Sequence, residues 1–338
     1  WCRIDIRFWP DYSRVKTPLT LQQADFMTEP APRVLCLGEC MVEFSRREDG
    51  LWSQGFAGDS FNVAWALRAL LPASAEVAYL TRIGTDALSG DMLEMFRAAG
   101  IETRHVARDP DRSVGLYTIR TDARGERSFS YWRSDSAARG LARDGAALAA
   151  AFVGVDLVYL SGISLAILPS EDRARLMDCL GQRGRRGFRV AFDPNIRPRL
   201  WTDMRTATDA VPALAAVADI VLPTQDDEAL AFGDADAAAT LARYAGLGVP
   251  EIVVKDGIRP TLYREGNEVG TRPVASIARP LDTTGAGDSF NGAYLAARLT
   301  GATQAAGVAA GQGVSAAVVG HRGALLPVAE LRTSAAAV

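Results

Sequence analysis

The sequence predicts an α/β protein: a mostly parallel central sheet with helices on both faces, three layers deep, and a small β-flap beside it. Three observations carry that expectation. Apolar runs of strand length alternate with helical patterns from Val34 onward, and strand, helix, strand in that order closes as a parallel sheet with crossover helices. Two stretches break the rhythm with extended, alternating residues. No low-complexity linker or internal repeat divides the chain, so its 338 residues, enough for one large domain or two ordinary ones, read as one domain carrying a flap.

Taken in order, Val34-Leu35-Cys36-Leu37-Gly38 reads as a buried strand. Residues 60–71 read as a helix, with Phe61, Ala64, Trp65 and Arg68 at helical spacing and Pro72 ending it. Residues 76–83 return as a strand. Residues 86–99 form the next helix, closed by Gly100 where the chain needs a residue tolerant of positive φ. Strands follow at 156–160, 189–193, 220–222 and 252–255, with helical stretches between them. Between Ser113 and Arg133, alternating residues flank Asp122-Ala123-Arg124-Gly125, a hairpin signature. Residues 41–56 also read as extended, with aromatics among charges. These segments, about 41–56 and 113–133, make the flap of a domain spanning 34–338. Residues 1–33 mix charges, aromatics and prolines without period and are expected to form a disordered extension, with Met27 standing just before the first strand.

Hydrophobic residues make up 48% and charged residues 23% of the chain, as in globular proteins with a sizeable core. The net charge of -3 and the lack of a basic stripe argue against a nucleic-acid or anionic-membrane partner. No apolar run is long enough to span a bilayer. Cys2, Cys36, Cys40 and Cys179 and two histidines are scattered; Cys36 and Cys40 alone cannot complete a zinc site. Reduced thiols in a cytoplasmic enzyme are the expectation.

The most informative segment is Asp282-Thr283-Thr284-Gly285-Ala286-Gly287-Asp288-Ser289-Phe290-Asn291-Gly292-Ala293, which follows an extended stretch and leads into an Ala/Leu-rich helical pattern over 293–299. Glycines ahead of a helix let backbone N–H groups converge where the helix dipole adds positive charge. Gly285, Ala286 and Gly287 there suit the charge that builds on a phosphoryl group in transfer. Asp288 in the same turn can take the proton of an attacking hydroxyl. A Gly-x-Gly-Asp string alone is more often a helix cap than a site. The full string is more specific, and it closely resembles the second signature of the ribokinase-like (PfkB) carbohydrate kinase family. No Gly-x4-Gly-Lys-Ser/Thr loop is present, which disfavours a P-loop kinase.

Gly55-Phe56-Ala57-Gly58-Asp59-Ser60-Phe61-Asn62-Val63-Ala64 resembles the family's first signature, and the resemblance implies that Gly58, Asp59 and Asn62 face sugar hydroxyls. Val221-Leu222-Pro223-Thr224-Gln225-Asp226-Asp227-Glu228 sits where the family carries Asn-x-x-Glu near metal and phosphates; Thr224 and Asp227 take those places. Val253-Val254-Lys255-Asp256-Gly257 resembles the strand end that meets the nucleotide. The resemblance, running from Val34 to Pro327, thus implies a ribokinase-like three-layer fold that binds ATP and Mg²⁺. It implies that Thr224, Lys255, Gly257, Gly285, Gly287 and Gln312 line the nucleotide. It further implies that Asp227 and Glu228 meet Mg²⁺ through water, and that Asp282 and Thr284 are placed for a monovalent cation such as K⁺. Flap strands in the family often pair between subunits, which implies a homo-oligomer.

Within the family, Val114-Gly115-Leu116-Tyr117, Gly125-Glu126-Arg127-Ser128-Phe129-Ser130-Tyr131-Trp132-Arg133-Ser134 and Phe192-Asp193-Pro194-Asn195-Ile196-Arg197-Pro198-Arg199-Leu200-Trp201 resemble the branch acting on 2-keto-3-deoxygluconate at its C6 hydroxyl. There Tyr117, Tyr131, Arg133 and Arg197 would contact the sugar acid. The chemistry is coherent, because guanidinium matches a carboxylate's two oxygens better than ammonium does. Two other readings stand beside it: a kinase of a neutral sugar such as fructose or ribose, and a sugar-binding sensor without catalysis.

Overall fold

The computed structural model describes residues 31–47, 49–121, 127–275 and 280–336. Most of the expected extension and the turn 122–125 of the expected hairpin lie outside them. The chain opens with β1 (Arg33–Leu37), β2 (Met41–Arg46), β3 (Trp52–Ala57), α1 (Asp59–Leu70), β4 (Glu76–Ile83), α2 (Ala87–Ala98) and β5 (Val106–Arg108). The hairpin β6 (Leu116–Thr121) and β7 (Arg127–Trp132) follows. The middle of the chain is α3 (Gly145–Ala151), β8 (Leu157–Ser161), α4 (Gly162–Ala166), α5 (Ser170–Gly181), α6 (Arg183–Arg186), β9 (Arg189–Asp193), α7 (Met204–Ala215), β10 (Ile220–Val221), α8 (Gln225–Phe232), α9 (Ala237–Gly246) and β11 (Glu251–Val254). It closes with β12 (Thr261–Glu265), β13 (Glu268–Arg272), α10 (Ala286–Leu299), α11 (Gln304–Val319) and α12 (Val328–Ala336).

Nine strands form one sheet in the order β13-β12-β11-β10-β9-β8-β1-β4-β5. All its pairs are parallel except β11-β12 and β12-β13 at one edge. Alternation along the strands divides two cores. On β1, Leu35 and Leu37 face one core, while Val34 and Cys36 face the other; Val158 and Leu160 part from Leu157 and Tyr159 on β8 in the same way. Successive strand side chains point to opposite faces, so a parallel strand with apolar residues at every position needs helices on both sides. The first core receives α3, α4, α5, α7 and α9, and the second receives α1, α2, α10, α11 and α12.

The chain runs outward from β1 to β4 and β5, then restarts at β8 on the other side of β1. Ligands in open α/β sheets bind outside the strand carboxyl ends at such a reversal. Above it stands a four-stranded sheet, β3-β2-β6-β7, which is the expected flap. Its register aligns Gly55, Glu43, Tyr117 and Tyr131 in one cross-strand row.

Three details differ from the sequence expectation. Helix α10 begins at Ala286, well ahead of the Ala/Leu-rich pattern over 293–299, because Gly285 supplies its N-cap in the left-handed region (φ 75°). The stretch expected to be extended before the signature holds no strand among its described residues; β13 has ended at Arg272. The antiparallel edge β12-β13 was not anticipated, since its half-exposed, charged strands carry little apolar period.

Candidate active site

Two helix starts meet above the strand ends. Gly58 is the N-cap of α1, and a side chain there would put its Cβ 2.1 Å from the Glu39 carbonyl oxygen. Only glycine lets this turn pass so close to the chain leaving β1. Gly285 caps α10 and is closed in by Ala324; its positive φ excludes most side chains. In the first α10 turn the Ala286 N–H donates to the Thr283 carbonyl at 3.2 Å, whereas the N–H groups of Gly287 and Asp288 have no partner inside the helix and can serve an anion. Asp288 stands in that turn.

The two signatures, far apart in sequence, are joined directly. Asn62 Nδ2 donates to Asp288 Oδ2 at 2.8 Å, and Asn62 Oδ1 accepts from the Gly58 N–H at 3.3 Å. Burial and the neighbouring carboxylates of Asp59 and Asp193 push the pKa of Asp288 up to about 7, against the opposing effects of the Asn62 amide and the Lys255 ammonium. A carboxylate so tuned can accept a proton near neutrality.

Beneath Asp288 runs a buried polar network. Lys255 Nζ lies 2.7 Å from Asp193 Oδ2 and 3.0 Å from Asn291 Oδ1. Asn291 Nδ2 donates to the same Asp193 oxygen at 2.6 Å. Asn195 accepts strain (φ 34°) and donates from Nδ2 to Asp59 Oδ2 at 2.9 Å, while its N–H bonds to Asp193 Oδ1. Non-glycine residues with positive φ are costly and concentrate at functional sites. Lys255 Nζ also comes within 3.7 Å of the Cβ position at Gly287, which places its positive charge beside the glycine turn. Sequence reasoning singled out none of Asp193, Asn195 and Asn291, although all three fall inside the strings it quoted.

The flap supplies the other wall. Tyr117 is buried and its hydroxyl donates to Glu43 Oε2. Tyr131, half exposed, stacks on it with ring centroids 5.7 Å apart, and Phe129 extends the ladder. Burial raises the Tyr131 hydroxyl pKa, opposed by the positive charges of Arg133, Arg197 and Arg199. Three guanidinium groups thus act on this hydroxyl, one of them, Arg199, unanticipated. Arg133 is partly buried against Glu39, to which its Nη2 donates. Its Nε and Glu39 Oε1 have no bonding partner. Arg197 Nη1 contacts both oxygens of Asp227, at 3.0 and 2.8 Å.

Among the residues expected around nucleotide and metal, Thr224 caps α8 and bridges to Lys255 through the main chain. Gly257 sits in an exposed turn with φ 59°. The Gln312 amide bonds Thr261, the Arg272 carbonyl and the Arg272 side chain and so ties α11 to the antiparallel edge. The Glu228 carboxylate is wholly buried; its Oε2 accepts from Arg243 and from the Tyr244 hydroxyl, and its Oε1 has no bonding partner. Asp227 keeps some exposure, and burial raises its pKa against the pull of Arg197. Asp282 and Thr284 form no open oxygen cage, because the Arg127 guanidinium lies on both. Burial alone would raise the Asp282 carboxyl; the N–H groups of Thr284 and Gly323, the Thr284 hydroxyl and Arg127 hold it below its ordinary value. Among the described residues no cluster of three or more His, Cys, Asp or Glu could hold a metal, and no helix is long and apolar enough to cross a membrane.

Known proteins resemble this chain in sequence and in fold. The chain is 37% identical over 301 residues to a protein of Dickeya dadantii named 2-dehydro-3-deoxygluconokinase, covering 87% of this chain and 97% of that one. It superposes on a PfkB protein from Polaromonas sp. JS666 with a TM-score of 0.78 at 26% identity, over 90% of this chain and all of that one. A ribokinase-type protein from E. coli, solved in complex with ATP and Mg²⁺, has the same fold at 22% identity, with a TM-score of 0.76 over 91% of this chain and 100% of that one. The pfkB family carbohydrate kinase model matches residues 31–331, spanning both glycine turns and the flap, and the chain belongs to that family.

Proposed function

We propose that this chain transfers the γ-phosphate of ATP to the C6 hydroxyl of 2-keto-3-deoxygluconate, giving 2-keto-3-deoxy-6-phosphogluconate. The observation that carries the reading is the 2.8 Å bond from Asn62 to Asp288. It seats a carboxylate of raised proton affinity between a turn suited to a polyol and a turn suited to a phosphoryl group. The name of the Dickeya relative supports the choice of sugar acid, as do the guanidinium charges that act on the Tyr131 hydroxyl.

In this reading Gly58, Asp59 and Asn62 bind the sugar hydroxyls, and Tyr117 and Tyr131 form its flat wall. Arg133 and Arg197 present positive charge to its carboxylate. Asp288 takes the C6 hydroxyl proton as that oxygen bonds to the γ-phosphorus. The bond from the γ-phosphorus to the bridging oxygen breaks, ADP leaves with the electron pair, and the proton remains on Asp288. The amides of Gly285, Ala286 and Gly287 stabilise the oxygens in transit, with Lys255 beside them. Thr224 and Gly257 border the nucleotide. A Mg²⁺ ion carried by ATP would supply neutralisation of the phosphate charge. The single partly exposed carboxylate of Asp227 fits an ion that keeps its water and takes most of its oxygens from phosphates.

A neutral sugar is the second reading, favoured by one observation: Arg133 and Arg197 are each already paired with a carboxylate, Glu39 and Asp227. An assay of ADP release with 2-keto-3-deoxygluconate, fructose and ribose decides between them. Turnover on the acid well above that on either neutral sugar is expected. Preference for fructose or ribose overturns the choice of substrate, and no sugar-dependent ADP release overturns catalysis.

A further inference from the structure

Arg127 has no part in the mechanism above, yet it ties the flap to the glycine turn through charge and hydrogen bonds, beside the apolar packing of Ala324 on Met41, Ala57, Tyr117 and Ile119. It opens β7 and shares a face with Phe129 and Tyr131, two and four residues on. Its Nη1 lies 2.5 Å from Asp282 Oδ1 and donates to Thr284 Oγ1 at 3.0 Å. The Asp282 side chain is 1% exposed, that of Arg127 22%. The same carboxylate accepts N–H bonds from Thr284 at 3.0 Å and from Gly323 at 2.6 Å. It therefore clamps both walls of the turn: Thr284 precedes Gly285, and Gly323 precedes the Ala324 that fills the space beside Gly285.

A buried carboxylate needs its counter-charge, and removing one partner of such a pair leaves the other uncompensated. Here the counter-charge rides on the flap. If the flap lifts, Asp282 loses it, and the turn that presents the Gly285, Ala286 and Gly287 amides loses its clamp. We infer that Arg127 is a positioning residue that couples seating of the flap to the geometry of the glycine turn, so that the turn is fully set only when the flap covers the sugar. The inference rests on the kinase reading above. It adds that phosphoryl transfer to water is suppressed by this coupling as well as by exclusion of solvent.

Arg127→Ala, Arg127→Lys, Asp282→Asn and the Arg127→Ala/Asp282→Asn double variant test it, with kcat, both KM values, the ratio of ADP released to phosphosugar formed, and amide exchange of β6 and β7 as readouts. Arg127→Ala is expected to lower kcat by about 10²-fold, the usual consequence of misplacing a reacting group by about an ångström. It should raise ADP release above phosphosugar formation and speed amide exchange in the flap, and Arg127→Lys should recover most of the loss. In the Asp282→Asn background, Arg127→Ala should add less than about threefold, because coupled partners are not additive. Additive losses, or flap exchange unchanged in Arg127→Ala, overturn the inference; additive losses with a raised KM for ATP would mean that Arg127 binds phosphate directly. If the unaltered protein phosphorylates no sugar, the kinase reading fails, and the exchange comparison still decides whether this guanidinium holds the flap.

Discussion

Replacing Lys255 with Met removes one charge from an enclosed ion pair of the site. The side chains of Lys255 and Asp193 are 10% and 4% exposed, and their charged atoms lie 2.7 Å apart. Breaking a buried pair by deleting one partner destabilises by about 3–5 kcal/mol, because the remaining charge is stranded. Asp193 would not be wholly stranded, since it keeps the Asn291 amide at 2.6 Å and the Asn195 N–H at 3.0 Å. The expected loss is therefore at the lower end, about 3 kcal/mol. Neutralising the carboxylate as well, in Asp193→Asn/Lys255→Met, should return about 2 kcal/mol, because a well-packed neutral pair avoids the desolvation of both ions. Urea unfolding of the four proteins at constant pH, completing a double-mutant cycle, measures this. A double variant as unstable as the sum of its singles would refute the coupling, and with it the claim that Lys255 is held beside Gly287 by Asp193.

Other perturbations separate the roles around that pair. Asp288→Ala should lower kcat by about 10²–10⁴-fold, the range for loss of a general base, with sugar binding retained in calorimetry; undiminished turnover would remove Asp288 from the chemistry. The pKa of Asp288 is raised partly by the charge of Asp59, so Asp59→Asn should lower it and move the acid limb of kcat to lower pH. A limb that stays put, or moves upward, contradicts the electrostatic account. Arg133→Ala and Arg197→Ala should each raise KM for the sugar acid by about 10-fold or more, as expected for losing a hydrogen bond to a charged group, while a neutral sugar is unaffected. Equal effects on both substrates would reassign these arginines to packing.

The core strands and flanking helices were legible in the sequence because both announce themselves over a few neighbours. β4 and β9 run Glu76–Ile83 and Arg189–Asp193 as expected, and Asp86 and Gly100 bracket α2. The glycine turns were legible for the same reason, since Gly58 and Gly285 express constraints of space and φ belonging to single positions. What escaped was direction. Asp227 and Glu228 are adjacent in sequence, yet the helical step of about 100° turns one toward Arg197 and the other toward Arg243 and Tyr244. Nothing local indicates that Gln312 will be taken up by Thr261 and Arg272, or that Arg127 will reach Asp282. By itself the sequence determined the alternating sheet architecture, the two signatures and the family they mark. Only the tertiary structure decided which charges meet, because ion pairs and buried networks form between residues that no periodicity relates and that become neighbours once the sheet order and the flap are in place.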